Sequence, residues 1–413
     1  MRLLLLCLYA TAVFCGCYRS GSLFGQADSS GGDEDTGRDA GGDIDPADID
    51  DETPVLEPIG PPIVVNGGTR GGNPVVAWNG EGWGVAWSGG SGDNFRAFDE
   101  MGVPLGHTVD LDISDGGVAD MAWRDGFYAI ALGSPRPAAA YLAVVDAGAV
   151  MVHAPSLVAD GVEMPDLAWS DLARGWLMGM WKELPPSSRE GLIVVSLVDE
   201  EAVPAGEPLE IGRGECPMGP RLVPLKTLTS IVWPVYNLET GAGSVWYRSF
   251  SWPDIESSPP AMEVLEISLC PDAEIEADGF QDDTVVVAMD GSEVLAFAVE
   301  PTHGDIVGGP SVVGHSGICD RRPAVEAVEE RGYLGVCYQT GVGSGGGSGH
   351  GDGFTFRLIS SDASPLGAEL ELGSGTWNAC GCAIGWNGVE FIVLYFQCDD
   401  DAVLYAQRVL PHI

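Results

Sequence analysis

Basic side chains are scarce in this sequence: 19 Lys and Arg stand against 61 Asp and Glu, a formal net charge of -42. Phosphate recognition depends on clustered cations that release counterions, so nucleic acid is excluded as a partner class, and an anionic membrane surface is disfavoured for the same reason. Histidine is also rare. The six residues His107, His153, His303, His315, His350 and His412 fall in segments read as outer strands, loops and the C-terminal tail, and no two share one element at metal-ligand spacing. No Gly-x-Ser-x-Gly nucleophile turn occurs, which removes the most recognisable route to acyl transfer. Long apolar runs are missing too. The one apolar stretch of note, Leu3 to Phe14, is too short to span a bilayer. No cofactor, no catalytic set and no metal site is expected on these grounds.

The apolar stretch has a different use. Arg2 supplies a positive start, Leu3 to Phe14 an apolar segment, and Gly16 a small residue ahead of Cys17, the order of an export signal. Phe14-Cys15-Gly16-Cys17 resembles a lipobox, the signature at which the final cysteine is lipidated and becomes the mature N-terminus. The resemblance implies residues 1–17 as signal, lipidation of Cys17 and a membrane partner through the anchor, with several acyl chains each adding about 0.8 kcal/mol per buried methylene. Tyr18 after the cysteine favours the outer membrane by the same resemblance; simple cleavage and secretion is the alternative. Between Asp28 and Glu52 lie eleven acidic residues and one basic one, spaced by Gly and Ser, so no core forms there. Residues 18–53 therefore read as a disordered acidic tether of roughly 33 Å reach. No twelve-residue calcium loop with its closing Glu is present in it.

From Pro54 onward a unit recurs about every 51 residues, near the spacing of propeller blades. Its clearest copy is Pro74-Val75-Val76-Ala77-Trp78-Asn79-Gly80, then Trp83 to Trp87, Phe95 to Asp99, and Thr108 to Ile113. That is two apolar strands around an Asn-Gly turn, a mixed strand and a polar outer one. Further copies start at Ala119, Pro165, Pro220, Ala273, Pro323 and Cys382, making seven. The seventh ends with its third strand, Val403 to Val409, and Pro54 to Val65 carries the missing fourth-strand pattern. The expected fold is all-β: a seven-bladed β-propeller of four-stranded blades over 54–413, closed by an N-terminal strand that completes the last blade and removes two sheet edges.

In its repeat of Pro-x-Val-Ala-Trp-Asn-Gly followed by apolar-x-Val-x-Trp, the chain resembles secreted bacterial β-propeller repeat lipoproteins, a family of unknown function. The match is sharp in the first and seventh units and weak in the fourth and fifth. It implies the fold and an exported location but no shared reaction. Neither the Asp-box repeats of sialidases nor the Asp-x-Asp-x-Asp-Gly loops of calcium-binding integrin-type propellers occur.

Two constellations remain. Seven cysteines follow Cys17, and an oxidising compartment makes disulfides their default state. Aligned repeats pair Cys319 with Cys337 and Cys380 with Cys398 within blades six and seven, and Cys216 with Cys270 between adjacent blades, leaving Cys382 odd. Aligned first strands also place Asp120, Asp166, Arg221 and Glu274 at the level of Val75 in blades two to five. First strands line a propeller's channel, so these four form a candidate ligand-binding funnel for a cation or polar ligand, with Arg221 as counter-charge; the alternative is a water-filled channel of solvated charges. The Gly- and Ser-rich stretch Thr340 to Gly353 reads as a long loop on the same face as the first-strand starts.

The functional expectation is an envelope-anchored binding or scaffold module, without a recognised activity, for a protein or polysaccharide at the cell surface. The alternative is a carbohydrate-cleaving propeller using two of Asp120, Asp166 and Glu274 as acid and base, which requires them within about 5 to 9.5 Å of each other.

Overall fold

The computed structural model describes residues 54–66, 71–89, 92–111, 113, 116–184, 190–215, 219–237, 240, 242–268, 274–316, 323–340, 353–373, 379–397 and 402–412. The signal, Cys17 and the acidic tether lie outside them, as do Cys216, Cys270, Cys319, Cys398, the side chain of Cys380 and the interior of the Thr340–Gly353 loop.

Seven sheets of four antiparallel strands follow one another, each strand hydrogen-bonded to its sequence neighbour from first to fourth. This is a seven-bladed β-propeller. First strands contact first strands around the ring: Gly71–Trp78, Gly117–Arg124, Val162–Ser170, Arg221–Pro224, Glu276–Phe280, Ala324–Val328 and Ala379–Trp386 in turn, the last meeting the first again. The seventh blade is completed from the other end of the domain. Val55–Asn66 pairs antiparallel with Val403–His412, from Val55 opposite His412 to Asn66 opposite Leu404, so closure is by an N-terminal strand, as the repeat count predicts. Among the described residues no helix is long and apolar enough to cross a membrane.

Local chemistry explains the hairpins. In blade two Arg124 faces Phe127 across Asp125 (φ 48°) and Gly126 (φ 96°), the two positive φ values of a tight turn that continues the strand twist. In blades one and seven the turn is longer and an Asn side chain caps it. Asn79 Oδ1 accepts Glu81 N at 2.8 Å and Gly82 N at 2.6 Å, and Asn387 Oδ1 accepts Val389 N and Glu390 N at 2.9 Å. Cross-strand aromatic pairs flank these turns, with ring centroids 4.7 Å apart for both Trp78–Trp83 and Trp386–Phe391, the tilted geometry aromatic rings prefer.

Cores form between blades, since every sheet is covered on both faces. A second-strand aromatic of one blade lies on a backbone of the preceding blade that only glycine leaves open. Tyr128 of blade two covers Gly84 of blade one, and Phe391 of blade seven covers Gly335 of blade six, where an added Cβ would stand 2.7 Å from the ring. Much of the glycine content is thus a packing requirement, because a well-filled interior has no room for one more carbon.

Candidate functional site

Of the four residues expected to line the channel, Asp120, Asp166 and Arg221 sit on first strands and Glu274 does not. Counting from the hairpin turn, Asp120 pairs with Ala131, Asp166 with Gly179, Arg221 with Val232 and Glu276 with Val287. Glu276, not Glu274, therefore holds the Val75 level in blade five. The first strand there runs Glu276–Phe280, three residues later than the Ala273 start read from the sequence, and Glu274 precedes it.

These charges are not solvated. Asp120, Asp166, Glu276 and Asp278 are fully buried, and Arg221 and Glu326 nearly so, at 2% and 4% exposure. Side chains at alternate positions of a strand share one face, and here that face looks toward the next blade. Asp120 Oδ2 accepts the backbone N–H of Leu167 in blade three at 2.8 Å, while its Oδ1 accepts Met121 N at 2.8 Å. Asp166 Oδ2 accepts Leu222 N of blade four at 2.6 Å. Asp278, two residues beyond Glu276, accepts Ala327 N of blade six at 2.8 Å and Gly279 N at 2.8 Å. Each carboxylate satisfies a backbone donor that its neighbour's inner strand presents toward it, and a carboxylate acceptor strengthens such a bond.

Between blades four and five the polarity of the contact reverses. Arg221 donates from Nε to Ile275 O at 3.1 Å and from Nη1 to Pro220 O at 2.5 Å. The same guanidinium lies 3.7 Å from Asp166 Oδ1, 3.3 Å from Glu274 Oε2 and 3.7 Å from Glu276 Oε1. Arg221 thus gathers acids of blades three and five around a cation of blade four. The structure brings Asp166, Arg221 and Glu274 together, whereas Asp120 is engaged one blade earlier. At the same level blades one, six and seven carry Val75, Val325 and Ala383, all buried and apolar. The polar clamps described between first strands thus join blades two to six.

A second set of inter-blade contacts lies at the ends of the first hairpins and was not anticipated. Arg124 Nη2 meets Asp171 Oδ1 at 3.0 Å, its guanidinium sits 5.5 Å from the Trp169 ring, and Trp169 Nε1 donates to the same Asp171 oxygen at 2.8 Å. Trp386 Nε1 donates to Glu330 Oε1 at 2.7 Å, and Gln281 N to Glu329 Oε1 at 2.9 Å. The repeat's first-strand Trp therefore reaches back to its own or the preceding blade's turn. Only the recurrence of Trp signalled this; its partners are not in the repeat.

On the opposite face, where blades connect, a cleft of 430 Å³ opens at the seam of blades four and five, lined by Thr240, Ala242, Glu266, Ile267, Ser268 and Asp290. Asp290 Oδ1 accepts Ser268 N at 2.8 Å on its wall. Near the seam of blades one and two, Asp93 is buried at 1% exposure beside Ser88, whose Oγ accepts Val118 N at 2.7 Å. Burial pushes the Asp93 carboxyl up to about 6, partly offset by hydrogen bonding to Ser88 and Val118 and reinforced by nearby Asp110. Cys337 and Cys382 are both buried in one apolar cluster shared by blades six and seven.

No family model and no curated protein matches the chain. Solved structures do. A puromycin hydrolase aligns over 79% of this chain and 50% of its own, at 13% identity and TM-score 0.49. A Trypanosoma rangeli sialidase in complex with sialic acid aligns over 76% and 56%, at 12% identity and TM-score 0.47. The Dos1 propeller aligns over 85% and 95%, at 11% identity and TM-score 0.46. This chain spans about half the length of the first two. At these scores the likenesses carry no argument about the site, and the fold rests on the chain's own strand order.

Proposed function

We propose that this chain is an exported, lipid-anchored propeller that serves as a rigid binding or scaffold module, holding a protein or polysaccharide partner at the cell envelope through the face on which its blades connect. The anchor reading rests on Phe14-Cys15-Gly16-Cys17 and the apolar run before it. The acidic tether that follows separates the ring from the membrane.

One observation carries the choice of binding over hydrolysis: Asp120 and Asp166 spend carboxylate oxygens on backbone N–H groups of the next blade. A glycosidase acid or nucleophile has to face a substrate, and these face protein. What the clamps supply is rigidity, which suits a scaffold that presents loops of variable sequence. The cleft between blades four and five lies on that connecting face.

The test has two arms. In a Gram-negative host, wild-type protein incorporates a clickable palmitate and Cys17→Ser does not; label retained in the variant removes the anchor. The purified full chain is then applied to arrays of envelope polysaccharides and offered chromogenic glycosides in parallel. Saturable binding without turnover supports the module, and turnover abolished by Asp166→Asn in a folded protein replaces it with the hydrolase.

A further inference from the structure

The turns joining third to fourth strands follow one rule in blades one to three. Asp99, Asp146 and Asp199 each open a five-residue turn ending in Val, and Oδ1 accepts the N–H groups two and four residues on: Met101 and Val103, Gly148 and Val150, Glu201 and Val203, at 2.7 to 3.1 Å. Blade five departs from it. Its turn, Glu300-Pro301-Thr302-His303-Gly304-Asp305, closes from Glu300 N to Asp305 O at 3.0 Å and so holds one residue more. Glu replaces the Asp, and a His and an Asp join it.

This turn is fixed from outside. Ser249 Oγ of blade four donates to Pro301 O, and Gly304 (φ 73°) lies against Met262 of that blade so closely that a Cβ would collide with it. Glu300 Oε2 accepts Thr302 N at 2.8 Å. The backbone carrying all three polar side chains is therefore positioned by packing before any ligand arrives.

We propose that Glu300, His303 and Asp305 form a binding site for a divalent transition-metal ion of the Zn²⁺ type. One ligand atom from each lies within 4.8 Å of the others, and Glu300 Oε1 stands 3.0 Å from His303 Nδ1. Ligand atoms around a tetrahedral zinc stand about 3.3 Å apart, given bonds of about 2.0 to 2.1 Å. The Glu300–His303 separation already suits a shared ion, and Asp305 needs only a side-chain rotation, for which its exposure leaves room. One imidazole with two carboxylates selects an ion that accepts both nitrogen and oxygen, which ranks Zn²⁺ and its neighbours above Ca²⁺ or Mg²⁺. The ion takes the place of the direct Oε1–Nδ1 contact, and water fills its remaining positions. His303 is 76% exposed, so the site is open to solvent.

Calorimetric titration of the full chain with ZnCl₂, in excess Ca²⁺ and Mg²⁺ to occupy carboxylate-only sites, tests this. The expected result is one saturable site, weakened by roughly 10- to 100-fold or more in His303→Ala and in Asp305→Asn but unchanged in His412→Ala. Both turn variants are checked by circular dichroism, and a Cu²⁺-loaded sample shows nitrogen coupling in its paramagnetic resonance spectrum that His303→Ala loses. Absence of a saturable site, or His303→Ala binding like wild type, overturns the proposal and leaves Glu300–His303 as a hydrogen bond within a turn.

Discussion

Asp120 in the first strand of blade two holds the backbone N–H of Leu167 in the first strand of blade three, 2.8 Å away, while both residues are fully or almost fully buried. The bond joins two sheets at their narrowest point, where water does not compete. Replacing Asp120 with Ala leaves Leu167 N and Met121 N without this acceptor, at about 1 to 3 kcal/mol for each buried group left unsatisfied. Urea denaturation of Asp120→Ala is expected to show a midpoint lowered by that loss, with Asp120→Asn recovering part of it through its carbonyl oxygen. Equal stability of Asp120→Ala and wild type would remove the clamp from the account of the fold.

Arg221 is a stronger case because its loss strands charge. Its guanidinium faces Asp166, Glu274 and Glu276 from 3.3 to 3.7 Å, and removing one partner of a buried ionic cluster typically costs about 3 to 5 kcal/mol. Arg221→Met is expected to lose stability in that range. Adding Glu276→Gln restores part of it, since one uncompensated acid disappears. The double variant being no better than the single one would show that Arg221 acts by packing alone.

What was legible in advance follows from where the information sits. Hairpins are local, so Trp78-Asn79-Gly80 and Asp125-Gly126 announce themselves, and seven repeats imply a ring with a strand to complete. Blade five offers no Trp to anchor the count, and its register slipped by two residues, which put Glu274 where Glu276 stands. The aligned charges were found, but not their use: an acid aimed at the next blade's backbone has its partner some 47 residues away, Asp120 to Leu167, and the sequence reads the same whether that acid faces water or a peptide group. The turns at Asp99, Asp146 and Asp199 share a local Asp-x-x-Gly/Ala-Val pattern, so they too are legible in sequence.

Ring closure depends on thirteen residues at one end. Val55–Asn66 covers the edge of Val403–His412 along its length, and Gln407 Nε2 donates to Ile59 O and Gly60 O at 3.4 and 3.3 Å. Deleting residues 54–66 exposes that edge to other chains. Light scattering on the deleted protein is expected to show concentration-dependent association, together with a lowered melting temperature. A monomer that melts like wild type would mean that blade seven is complete without its outer strand.

Asp93 gives the fold a pH dependence whose sign can be worked out. Its carboxyl titrates at about 6 in the folded protein, against an ordinary 3.8, chiefly because burial disfavours the charged form. The folded state therefore holds this proton more tightly than the unfolded chain does, and the contribution is fully present below about pH 4. As pH rises from there to about 6 the unfolded chain releases the proton first, and stability falls with pH across that window, then levels. At about 1.4 kcal/mol per pH unit the loss from this one group approaches 3 kcal/mol. Asn cannot ionise, so Asp93→Asn is expected to gain on wild type by about that amount between pH 4 and pH 7, as read from urea midpoints at both values. A difference between the two proteins that stays constant with pH would mean that Asp93 binds its proton equally in the folded and unfolded chain, its partners at Ser88 and Val118 compensating its burial in full.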